Sequence, residues 1–114
     1  SKYLRDMLQE LEDVENFTTD GHDAFLVDRK TQKAVMRSYE VIGEIAKRLP
    51  TELLDTHPKV KWQKVKGFRD FLIHNYDIVT LKLVWEAVED LPNLKAAVKE
   101  MLEAVLKNEP PHDS

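Results

Sequence analysis

Between Gly67 and Asp77 the chain reads Gly-Phe-Arg-Asp-Phe-Leu-Ile-His-Asn-Tyr-Asp. Arg69, His74 and Tyr76 bring together types that suit phosphodiester chemistry on RNA. A neutral His takes the proton from a ribose 2′-hydroxyl, which then attacks the adjacent phosphate. An arginine offsets the charge that builds on the phosphorane oxygens. A second His, supplied by a partner subunit, could protonate the leaving oxygen. This chemistry uses no metal, and it spares DNA, which lacks the hydroxyl.

Helical spacing sets how these groups are presented. At about 100° per residue, Trp62, Val65, Arg69, Leu72 and Tyr76 form one seam. Arg69 thus sits in an apolar stripe, where a charge needs a partner or a polar interface. A structural arginine bonded to an acid of a neighbouring helix fits the same position. Asp70 precedes His74 by one turn, so it can bond an imidazole nitrogen, fix its tautomer and raise its basicity. Gly67 shares that side and leaves the backbone open to close approach. A surface or core His is the plainer reading of His74, and a seam aromatic the plainer reading of Tyr76. On one straight helix Arg69 and His74 point about 140° apart. The long arginine stem, a helix ending near His74, or a two-fold dimer could each bring them together.

The chain has 114 residues, 42% of them hydrophobic, enough for one domain with one core. It has no cysteine, which removes disulfides and thiolate metal sites. His22, His57, His74 and His112 lack ligand spacing, so no metal and no cofactor is expected. No Gly-rich phosphate loop and no Gly-x-Ser-x-Gly elbow occurs. No apolar run approaches the roughly 20 residues of a membrane span. The charged, periodic start is not the pattern of a signal peptide, so a soluble, cytoplasmic protein is expected. Net charge is −4, yet Lys59 to Arg69 holds five cations (Lys59, Lys61, Lys64, Lys66, Arg69) and no acid. The four lysines read as an RNA-binding patch, since cations near phosphates are the expected footprint, although a solvated charged face is the commoner meaning of such runs.

Apolar residues recur at helical spacing nearly throughout. Helices are expected over about 3–17, 23–49 (bent early), 60–76 and 79–90, with a last one starting at Pro92. The residues from Thr18 to Asp23 break the chain and supply caps for the second helix. Pro50 stops that long helix, and Thr51 is expected to cap a short turn through Leu54. His57-Pro58 marks another boundary. The expected fold is an all-α, up-and-down bundle of five to six helices over 1–107, with a flexible tail at 108–114.

Further segments carry a resemblance: Asp28-Arg29, Glu40-Val41-Ile42-Gly43-Glu44, Pro58, Trp62, Gly67-Phe68-Arg69-Asp70, His74-Asn75-Tyr76, Val84-Trp85-Glu86 and Asp90-Leu91-Pro92. In this order the chain resembles the HepT-like toxins of the HEPN ribonuclease superfamily. The resemblance implies an all-α HEPN fold, a homodimer, and a ribonuclease site lined by Arg and His of both subunits. It also implies a toxin–antitoxin partner, a minimal nucleotidyltransferase of the MntA kind, which silences the toxin by AMP transfer to the motif tyrosine. Carried over, Arg69 and His74 are catalytic, Asp70 is a polar accessory and Tyr76 is the AMP acceptor. Relatives also carry Asn where Asp70 stands. Asn75 and Glu44 are supporting residues, Glu44 as the acid expected to hold Arg69. A different class of function stands beside this one: a catalytically idle helical partner of a nucleotidyltransferase, serving nucleotide or protein recognition. The intact Arg69/His74 pair favours the enzyme; the acidic net charge and the wheel mismatch favour the binding module.

Overall fold

The computed structural model describes residues 2–74 and 78–108; the side chains of His74, Ile78 and Val79 are outside that description. Six helices are present among the described residues: α1 (Lys2–Phe17), α2 (Gly21–Val27), α3 (Arg29–Arg48), α4 (Thr51–Leu54), α5 (Trp62–His74) and α6 (Ile78–Asn108). They form the all-α bundle that apolar periodicity requires, with no strand among the described residues.

The core follows from that periodicity. Leu4, Met7, Leu11 and Val14 recur three and four apart along α1, and all are buried. They meet Val35, Ile42 and Ala46 of α3 and Leu91, Val98 and Met101 of α6 in one cluster. α1 packs on α3 and α6, while α5 packs on α3. Each such Leu or Met contributes about 1.5–3 kcal/mol through burial. The 31 residues of α6 span about 46 Å at the helical rise, close to the 49 Å long dimension of the molecule.

The structure corrects several expected boundaries. The long second helix is two helices, α2 and α3. Asp28 is extended (φ −115°, ψ 99°) and its carboxylate accepts from the Lys30 and Thr31 amides and the Thr31 hydroxyl. A carboxylate that caps so well competes with helical continuation. Gln32 closes the joint by donating to the Phe25 carbonyl at 2.9 Å. Thr18 and Thr19 donate back to α1, to the carbonyls of Val14 and Asn16, rather than capping α2. Gly21 takes φ +89°, the left-handed region where glycine has no penalty, and this turns the chain. Pro50 is the N-cap of α4, so Thr51 is its first residue and caps nothing.

Pro92 does not start a helix. It lies inside the continuous α6, where the two expected helices are one. The proline removes one hydrogen bond, and burial of Leu91, Leu94, Val98 and Met101 on both sides of it holds the segment helical. α5 begins at Trp62 rather than Val60, and Asn108, expected in the tail, belongs to α6. The rest of that tail, 109–114, lies outside the described residues.

Candidate active site

α5 starts where Pro58 has ended the preceding turn. The Trp62 indole donates to the His57 carbonyl at 3.1 Å and pins the entry. Trp62 and Leu72 are then buried against the bundle, with Val65 half-buried between them. Among the described residues of the seam, Trp62 and Leu72 are thus covered within the protomer; Tyr76 lies outside them.

Arg69 lies in that seam, with its side chain 37% exposed. α3 approaches it closely at Gly43. A Cβ on Gly43 would stand 2.8 Å from Arg69 Cβ and 2.9 Å from the Val65 carbonyl oxygen. Only glycine allows this approach, and it brings the next residue, Glu44, to the guanidinium. Glu44 Oε2 lies 3.2 Å from Arg69 Nε, and Asp70 Oδ1 lies 2.9 Å from Nη1. The acid expected to hold Arg69 is thus in contact with it.

Asp70 was expected to face His74, whose side chain lies outside the described residues. The Asp70 carboxylate meets Arg69 and the Lys47 ammonium, the latter 3.4 Å from both oxygens. These hydrogen bonds, from Arg69 first and then Lys47, hold the Asp70 carboxyl below the usual carboxylate range. Arg48 also reaches Glu44, at 3.8 Å. Charges thus alternate through Arg48, Glu44, Arg69, Asp70 and Lys47 across the α3–α5 contact. Lys47 and Arg48 were not singled out in the sequence, although helical spacing puts them on the turn after Glu44.

His74 closes α5, five residues and about 7.5 Å along the axis from Arg69. Its side chain lies outside the described residues, as do Asn75 and Tyr76 altogether.

The lysine run does not form one patch with Arg69. Lys59, Lys61 and Lys64 line a cleft between α5 and α6, whereas Lys66 and Arg69 do not. Arg69 opens onto a different cleft of about 480 Å³, which also meets Asp6, Glu10, Arg37, Glu44 and Arg48. A run contiguous in sequence is thereby divided between two flanks of α5. Glu10 in the second cleft has its carboxyl pushed up, chiefly by burial and partly offset by a hydrogen bond with Ser38. Among the described residues no cluster of His, Asp or Glu is placed to hold a metal ion. None of the described helices is long and apolar enough to cross a membrane.

Known proteins share this sequence over most of its length. Residues 7–101 match the family described as Ribonuclease HepT-like. A Methanocaldococcus jannaschii protein, named as an RNase by inference, is 39% identical over 105 residues, covering 90% of this chain and 87% of its own. A Thermococcus cleftensis protein, named by inference as ribonuclease HepT, is 39% identical over 87% of this chain and 92% of its own. A further inferred RNase, from Caldanaerobacter subterraneus subsp. tengcongensis, is 39% identical over 89% of this chain and 92% of its own. No solved structure gives a significant match. This chain belongs to the HepT-like ribonuclease family, an RNase family of HEPN type.

Proposed function

We propose that this protein is a metal-independent RNA endonuclease acting through Arg69 and His74, the toxin of a toxin–antitoxin pair. One observation carries the reading: Arg69 is held at two of its nitrogens by Glu44 and Asp70 while its side chain stays 37% exposed on a cleft. An arginine fixed this way is oriented before the substrate arrives, which is how a charge-stabilising group works best.

In this mechanism His74, neutral, takes the 2′-hydroxyl proton. The ribose oxygen attacks phosphorus and the bond to the 5′-oxygen breaks, leaving a 2′,3′-cyclic phosphate. Arg69 offsets charge on the non-bridging oxygens. The leaving oxygen takes its proton from a second imidazole, supplied by the other subunit of a homodimer. Asp70 and Glu44 keep the guanidinium in place, and Asn75 is a supporting residue. Tyr76 accepts AMP from ATP, delivered by a minimal nucleotidyltransferase antitoxin. The added phosphate then competes with RNA for Arg69.

A second reading has one observation in its favour. The cleft beside Arg69 carries Asp6, Glu10, Glu40 and Glu44 against Arg37, Arg48 and Arg69. Such a balance repels phosphate more than an RNA site usually does, and it suits an idle recognition partner of the nucleotidyltransferase.

Expression in a host separates the two. Growth arrest that His74→Ala abolishes, and that the cognate transferase relieves with adenylate on Tyr76 by peptide mass spectrometry, is the expected result. Arrest that persists in His74→Ala contradicts the enzyme. Adenylate found on Tyr3 or Tyr39 instead contradicts the mode of control.

A further inference from the structure

α5 packs on α3, and α6 packs on α1 and α3. Between α5 and α6 lies a cleft of about 1160 Å³. Its floor includes Tyr39, only 5% exposed, whose hydroxyl is buried with no hydrogen-bond partner among the described residues. A hydroxyl so placed needs a partner, because burying it unpaired is costly. Phe68 stands edge-on to the Tyr39 ring at 5.5 Å and stacks with Phe71 at 6.1 Å and 12°. Flat aromatic surface thus lies beside an unmet polar group.

The two walls differ in charge. Lys59, Lys61 and Lys64 line one side, and Glu86, Asp90 and Glu100 of α6 line the other. Glu100 is tied to His57 at 2.9 Å. Burial, and then the Asp90 charge, push the Tyr39 phenol up, so it remains a protonated donor.

We propose that this cleft is a base-binding subsite for single-stranded RNA: an unpaired base enters against Phe68 and Phe71, the Tyr39 hydroxyl and Asp90 meet its polar edge, and the flanking phosphates lie along Lys59, Lys61 and Lys64. Aromatic stacking and cationic tracking of the backbone are the usual means of holding single strands. The acids on α6 repel phosphate and so fix which way the strand faces. The volume exceeds the roughly 300–1,000 Å³ of a small-molecule pocket, which favours a strand over a free nucleotide.

The proposal rests on the ribonuclease reading, and the test separates the two. A short single-stranded 2′-O-methyl oligonucleotide, which lacks the attacking hydroxyl, is titrated by fluorescence anisotropy against the full chain. Cleavage of the unmodified strand is measured in parallel. Tyr39→Phe is expected to weaken binding on the order of fivefold, the size of one hydrogen bond, while Tm holds or rises because the unmet hydroxyl is gone. The double variant Lys61→Glu, Lys64→Glu is expected to weaken binding further and to flatten its salt dependence. Wild-type affinity in both variants, with RNA still cleaved, overturns the subsite and leaves the ribonuclease standing. Adenosine monophosphate binding as tightly as the strand overturns the strand as occupant. A change of oligomeric mass in the lysine variant, with binding unchanged, shows a second copy in the cleft and overturns the subsite too. If the wild type neither binds nor cleaves the strand, the ribonuclease reading fails with it.

Discussion

Gly43 shows what a single missing methyl group does here. Placing alanine in a helix interior gains about 1 kcal/mol over glycine. At Gly43 the new Cβ would stand 2.8 Å from Arg69 Cβ and 2.9 Å from a backbone oxygen, neither of which can swing aside. Overpacking of this kind costs about 1–3 kcal/mol, so the clash wins. Gly43→Ala should lower the urea midpoint and also reduce RNA cleavage, because it pushes α5 and Arg69 away from Glu44. Glu44→Gln should behave differently. The ion pair is exposed on both sides, and such pairs are worth about 0–1 kcal/mol, so Tm should hardly move. Cleavage should still fall roughly tenfold to a hundredfold, the effect of a misplaced catalytic group. Unchanged cleavage in Glu44→Gln would show that Arg69 needs no such orientation. The sequence made the Glu44–Arg69 contact legible, since an arginine in an apolar seam demands an acid and Glu44 follows a glycine. It did not make the Asp70–Lys47 contact legible, since only the packing of α3 on α5 brings Lys47 to it.

At the level of elements, periodicity located the long helical stretches, but local chemistry decided where they broke or ran on. Asp28 splits a stretch that reads as one helix, because its carboxylate satisfies three donors at once. Those bonds, led by the Thr31 hydroxyl, hold its carboxyl below the usual 3.8. A folded pKa below the unfolded one means stability that is present above 3.8 and is lost as pH falls through the folded value. Asp28→Ala should therefore lower Tm at pH 7, and the gap from wild type should close as the pH drops below 3.8. A gap that is constant with pH would mean that the cap contributes nothing electrostatic. Pro92 misleads in the opposite direction. Proline suits the first turn of a helix, yet α6 runs through it because apolar burial on both flanks outweighs one lost bond. Interior proline costs about 3 kcal/mol relative to alanine. Pro92→Ala should accordingly stabilise the fold by about 1–3 kcal/mol in urea unfolding, provided the surrounding helix has not already relaxed around the ring.

For the whole molecule, the described part of the α5 seam is used inside the protomer, with Leu72 0% exposed and Trp62 7%. Leu72→Ala should cost about 2–5 kcal/mol, and it should act through stability rather than chemistry. The case for a two-fold dimer then rests on function. By helical spacing alone, positions 69 and 74 of one copy lie about 140° apart, and the leaving oxygen needs a second proton donor. Light scattering at micromolar concentration should give twice the 13.3 kDa chain mass; a monomer alone would remove the second imidazole from the mechanism. The bundle itself was legible from spacing, as was the motif helix. The separation of Arg69 from the cleft of Lys59, Lys61 and Lys64 was not, because contiguity in sequence does not report which flank of a helix a side chain joins. The most direct test of the ribonuclease account is cleavage of single-stranded RNA by the purified protein in EDTA. It should yield a cyclic phosphate end, with His74→Ala slower on the order of 10² to 10⁴-fold, the range for a general base, and Arg69→Ala also losing most activity, both variants staying helical by circular dichroism. Cleavage that requires added divalent metal, or that survives in His74→Ala, would contradict it.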